Sequence, residues 1–231
     1  MDGTKLVREE APQNYLLVEG SDDAHVFKSL FEYFQIPYEF RGLPKYNPPP
    51  KGLIKIIDKG GIENLLATLS TELKGSEERR LGIIIDADSD IAARWQAVRN
   101  KLVAFGYHAV PETPLPDGTI IDEEGPPLVG VWLMPNNKLP GMLEDFVSFL
   151  VPQGDTLWPM AEDIIQRVIE IDRRFPLAQR SKANIHTWLA WQEEPGKPMG
   201  QAITKRYLKA ESTHAQQLMA WIHQVFKLEQ I

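Results

Sequence analysis

Three short apolar runs, each followed by a segment of helical period, limit what this chain can fold into more than any other feature. The runs are Tyr15-Leu16-Leu17-Val18, Leu53-Ile54-Lys55-Ile56-Ile57 and Leu81-Gly82-Ile83-Ile84-Ile85. Nearly unbroken runs of this length, bounded by Gly or charge, suit strands buried on both faces of a parallel sheet. Behind them, Ala24, Phe27, Leu30, Phe31 and Phe34, then Ile62, Leu65, Leu66 and Leu69, then Trp95, Val98, Leu102 and Phe105 recur at helical spacing. The alternation predicts an α/β fold with a mostly parallel central sheet and helices on both faces. Right-handed crossovers then bring the strand C-termini to one edge, where ligands bind in open α/β folds.

The remaining segments are read as follows. Arg41 to Lys51, with four prolines and a glycine, is a loop. Residues 107–127 form a hairpin or long loop turning at Pro116-Asp117-Gly118, and Val129 to Met134 is a further strand. Gly141 to Leu150 is a helix with Met142, Phe146 and Phe149 inward, and from Thr156 onward only helices follow, divided by Pro176 and by Glu193 to Pro198. The expected organisation is a Rossmann-like α/β domain over 1–155 and a helical C-terminal extension over 156–231, packed on it. Trp188, Trp191 and Trp221 are expected to pack between its helices.

Composition removes several function classes. There is no cysteine, which excludes disulfides, thiolate zinc sites and cysteine nucleophiles. The polar start, Met1 to Gln13, lacks the pattern of a secretion signal, and no apolar run approaches the roughly 20 residues of a membrane span. A soluble, cytoplasmic protein is expected. Net charge is −7, and residues 76–159 hold 6 basic and 13 acidic side chains against 10 and 8 in residues 160–231. Sequence-independent nucleic-acid binding needs positive charge, so it would rest here on a local basic surface or on cations held by carboxylates.

Two strands end in acids. Glu19 follows the first, and Asp86, Asp88 and Asp90 follow the third, so all four can meet at one edge of the sheet. Converging carboxylates repel unless a cation relieves them, and Mg²⁺ takes such oxygen ligands while keeping several waters. Asp90 is most simply the N-cap of the helix that follows, and Ser21 and Asp22 cap the first helix. Asp23, one turn after Glu19, either supports the site or is solvated. The Asp-x-Asp-x-Asp run is not an EF-hand, since its sixth and twelfth positions are Ile91 and Ala97; phosphate-binding glycine loops are absent.

Tyr15-Leu-Leu-Val-Glu-Gly20 and, about 67 residues on from its Glu, Leu81-Gly-Ile-Ile-Ile-Asp-Ala-Asp88, with one helix–strand–helix unit between, resemble the Toprim domain of topoisomerases and primases. Glu19-Gly-Ser-Asp-Asp23 also resembles the Toprim nucleases of the OLD (overcoming lysogenization defect) type, whose second acid lies four after the Glu. The resemblance covers residues 14 to about 135 and leaves the helical third unexplained. It implies a nuclease cutting DNA or RNA with Mg²⁺, or Mn²⁺ in its place. Asp86 and Asp88 would hold the metal on the scissile phosphate, and Glu19 would be a ligand or general acid/base. Asp90 or Asp23 would serve a second ion. Analogy with OLD-type systems further implies a separate ATPase partner and a role in phage defence.

Further candidates stand on residues alone. Lys55 and Lys59, on or just after the second strand, could approach a phosphate backbone; a solvated strand end is the plainer reading. Lys205, Arg206 and Lys209 could form another basic face, with a plain helix surface the simpler reading; Asn136 and Asn137 suit a turn, and Glu144 or Asp145 is a candidate further ligand. The five histidines show no ligand spacing. Two rivals to the nuclease stay open: a catalytically silent Toprim-like interaction module, and a nucleotide-sugar transferase using Asp-x-Asp, which leaves Glu19-Gly20 unexplained. A homo-oligomer is an expectation prompted only by the aromatic C-terminal helices.

Overall fold

The computed structural model describes residues 13–75 and 77–229. Most of the polar start read above, residues 1–12, lies outside them. Six strands form one sheet: β1 (Asn14–Val18), β2 (Tyr38–Glu39), β3 (Ile54–Asp58), β4 (Arg80–Asp86), β5 (Thr119–Ile121) and β6 (Leu128–Met134). Their order is β2-β3-β1-β4-β6-β5, parallel except for the last pair. The Rossmann-like α/β fold expected from the alternating runs is therefore present, and β1 lies beside both β3 and β4.

Helices cover both faces. On one, α2 (Ile62–Glu72) and α3 (Ile91–Phe105) bury Leu65, Leu69, Trp95, Val98 and Leu102 against Leu17, Leu81, Ile83 and Ile85. On the other lies α1 (Ser21–Tyr33), together with α4 (Leu143–Ser148), α5 (Leu157–Asp172), α6 (Arg180–Leu189), α7 (Met199–Thr204) and α8 (Thr213–Phe226). Strand residues alternate between the two cores because successive side chains point to opposite faces.

The C-terminal helix reaches the sheet through two glycines. Gly82 and Gly130 are register partners on β4 and β6. A Cβ on Gly130 would come 2.3 Å from Val225, and one on Gly82 would come 2.9 Å from Phe226. The missing side chains leave a flat strip on which α8 lies. Arg80 fastens its end, donating to the Phe226 carbonyl at 2.9 Å.

Several local expectations need correction. A turn does form before Gly118, whose N–H donates to the Leu115 carbonyl, but it leads into β5; the β5–β6 hairpin turns at residues 122–127. The inward side chains of α4 are Leu143, Phe146 and Val147, while Met142 and Phe149 are half-buried, because the helix begins at Leu143 and its phase differs. Trp188 and Trp221 are buried as expected, but Trp191 lies past the end of α6 and is exposed. The two-residue strand β2 has no periodic signature in the sequence; only its pairing with β3 makes it a strand.

Candidate metal centre

The acidic edge is built from the ends of β1 and β4. Parallel register sets Val18 opposite Ile84, so Glu19 and Asp86 leave the sheet side by side. The Asp86 N–H donates to Glu19 Oε2 at 3.3 Å, and Asp86 Oδ1 accepts from the N–H of Leu143 at 2.9 Å. The second contact ties the strand end to the first turn of α4. There a carboxylate is favoured, since the first amides of a helix lack intrahelical partners.

Asp23 does two things on α1. Its Oδ2 accepts from the Gly20 N–H at 3.1 Å, so it closes the helix start in place of Ser21 and Asp22. Its Oδ1 is buried with no hydrogen-bond partner, in a residue only 7% exposed. Asp90 caps α3 as expected, accepting from the Ala93 N–H at 2.9 Å. Asp88 has left-handed backbone, at φ 52°, and exchanges two hydrogen bonds with Gly141, of 2.8 and 2.7 Å. Its carboxylate is paired with Arg94.

Glu144, on α4, is the site residue that sequence singled out most faintly. It is buried, and Lys182 of α6 holds it at 3.2 Å. Lys182 carried no signal in sequence, because only the packing of α6 on α4 brings it to this edge. Its amine is pushed up by Glu144, with Asp22 and Asp86 adding to the effect. Asp145 serves structure: it accepts from the Met142 N–H at 2.9 Å and from the Ser181 hydroxyl.

The carboxylates act on one another. Burial, then Asp23, Glu19 and Glu144, push the Asp86 carboxyl up to about 9. Burial, then Glu19, push Asp23 up to about 7, and burial raises Glu19 despite its hydrogen bond from Asp86. Burial raises each of these carboxyls first and their mutual repulsion adds to it; a bound cation would oppose both effects. Among the described residues no group of three or more His, Asp or Glu side chains is arranged to hold a metal ion as it stands. The donor chemistry nonetheless fits a hard divalent cation: every donor is a carboxylate oxygen, and one buried oxygen of Asp23 is unpartnered.

The two lysines chosen from sequence point elsewhere. Lys59 gives its amine to Glu72 at the end of α2, at 3.0 Å, and shares that acid with Arg79. The Lys55 amine lies 5.8 Å above the Tyr15 ring. The positive groups that do meet the acidic edge are Arg94 and Lys182. Asn136 and Asn137 brace the loop after β6, accepting from backbone N–H groups of Lys138, Leu139 and Leu133. No helix among the described residues is long and apolar enough to cross a membrane.

A solved structure, the C-terminal region of the Xanthomonas campestris pv. campestris OLD protein, is similar to this chain at 14% identity and a TM-score of 0.39. It covers 93% of this chain and 92% of that one. Among curated proteins no match was found. The family described as "Protein of unknown function (DUF3226)" matches residues 13–227, and the chain belongs to that family.

Proposed function

We propose that this chain is a divalent-metal-dependent phosphodiesterase acting on nucleic acid, with Glu19, Asp86 and Asp88 as its essential acids. The observation that carries the reading is the convergence of Glu19, Asp23, Asp86 and Glu144 at one sheet edge, with Asp86 raised by burial and then by its acidic neighbours. The Glu-Gly and Asp-x-Asp motifs that resemble Toprim nucleases supply the reaction class. Asp86 and Asp88 would hold Mg²⁺ or Mn²⁺, with Asp23 and Glu144 offering further oxygens and Glu19 left free as the base; Asp88 turns from Arg94 to do so. Once bound, the metal supplies Lewis-acid stabilisation of charge on the phosphate oxygens.

The chain's own groups account for the rest. Glu19, raised by burial, takes the proton of the attacking water. The water oxygen bonds to phosphorus as the ester P–O bond breaks, and solvent protonates the leaving oxygen. Lys182 and Arg94 offset phosphate charge at the edge.

A second reading, a silent binding module, is favoured by one observation. Asp88 is already neutralised by Arg94, and Glu144 by Lys182.

Cleavage of circular and linear DNA and of RNA with Mg²⁺ or Mn²⁺, comparing wild type with Asp86→Ala/Asp88→Ala, decides between them. The nuclease requires metal-dependent cleavage that the variant loses by about 10³-fold or more. Absence of both cleavage and Mn²⁺ binding leaves the silent module.

A further inference from the structure

A pocket opens at the end of the sheet opposite the acidic edge. Arg80 and Asp86 are the two ends of β4, about 20 Å apart at the rise of a strand. The pocket, of about 420 Å³, lies beside Arg80, between the turn that ends α1, the loop before β3 and the end of α8. Phe34, Ile36, Pro37, Phe226 and Leu228 supply apolar walls. A space of this size and lining suits a small organic ligand.

The charges around the pocket narrow its chemistry. Lys51 is paired with Glu229, and Lys227 with Asp122. Arg80 is the third cation of the lining, and among the described residues no carboxylate pairs with it. One of its N–H groups donates to the Phe226 carbonyl, and a guanidinium has five. Burial pushes the group below the usual arginine range, and Asp122, which opposes that shift, is already bound to Lys227.

Two more polar groups at this end lack partners. His223 lines the pocket, and its Nδ1 is buried with no hydrogen-bond partner. Asn14 stands opposite Arg80 in the β1–β4 register, on the same face of the sheet. It is 2% exposed, and neither polar atom of its side chain has a partner. A partly buried cation without a counter-ion, set among apolar side chains, is matched by an anion with an apolar body. One unmatched positive charge calls for one negative charge, which a carboxylate carries and a phosphate monoester exceeds.

We infer that this pocket binds a small apolar monocarboxylic acid, with its carboxylate on Arg80 and its hydrocarbon body against Phe34, Phe226 and Leu228. The site is separate from the acidic edge and does not depend on the phosphodiesterase reading.

Calorimetric titration of the full chain with octanoate, 1-octanol and octyl phosphate tests this. Octanoate should bind with a dissociation constant below about 1 mM, and the neutral alcohol about tenfold or more weaker, the worth of a charge-assisted hydrogen bond. Octyl phosphate should bind more weakly than octanoate. Arg80→Met should lose octanoate binding by about tenfold or more while keeping that of octanol. Arg80 also fastens α8, so a second variant guards against a folding defect. Gln35 is exposed at the rim, and Gln35→Glu should weaken octanoate by about threefold or more and leave octanol unchanged. A wild type that does not bind octanoate overturns the inference. Octanol or octyl phosphate bound as tightly as octanoate, or octanoate binding indifferent to Gln35→Glu, does the same.

Discussion

Lys182 holds Glu144 at 3.2 Å, and through this contact α6 reaches the acidic edge that β1 and β4 build. The glutamate is buried while the lysine is 47% exposed at its side chain, so the pair costs little desolvation on one partner and much on the other. The two members should therefore respond differently to removal.

Lys182→Met leaves a buried, unpaired carboxylate. It should destabilise the fold by about 1–2 kcal/mol, less than for a fully buried pair because of the lysine's exposure. Adding Glu144→Gln should recover most of that loss. Denaturant unfolding of the two variants measures it, and a single variant as stable as wild type would show that the pair carries no weight.

Stability of the metal-free protein should fall as pH rises. Asp86 and Asp23 have folded values raised to about 9 and about 7 from an ordinary 3.8. A raised acid binds its proton more tightly when folded, so its contribution is full below the ordinary aspartate range and is lost as pH passes the folded value. The thermal midpoint should therefore decline between acid pH and about pH 9, and Asp86→Asn should flatten the decline. Millimolar Mg²⁺ or Mn²⁺ should raise the midpoint most at the alkaline end, because a cation binds only the ionised site.

Arg94 competes with any cation for Asp88. Replacing it by Gln should tighten Mn²⁺ binding by about two- to five-fold, the worth of an ion pair whose carboxylate is half-exposed. Calorimetric titration reads the change directly. Weaker binding in the variant would mean that Arg94 orients Asp88 for the metal and does not block it.

Gly130→Ala should cost about 1–3 kcal/mol, because its Cβ would meet Val225 at 2.3 Å and Trp221 at 2.9 Å on a helix already tied to the sheet. Urea unfolding checks this. An unchanged midpoint would show that α8 is free to shift on the sheet.

The strands and helices around the acidic edge were legible in sequence because local periodicity writes them. Leu81 to Ile85 is apolar throughout because both faces of β4 are covered, and Trp95, Val98 and Leu102 recur because one side of α3 is buried. The placement of Glu19 and Asp86 followed from strand order alone, since acids at the ends of parallel strands share an edge. Asp90 as a cap was equally local. Tertiary structure decided the rest. Whether Asp23 closes its own helix or is spent on solvent depends on the Gly20 backbone and on what buries its other oxygen. Lys59 is drawn off to Glu72 by a helix end no local pattern locates. Glu144 and Lys182 meet because α4 and α6 pack on each other, across a separation that periodicity cannot span. Local spacing determines which residues share an element; which elements share a site depends on how whole faces bury one another, and that is a property of the packed molecule.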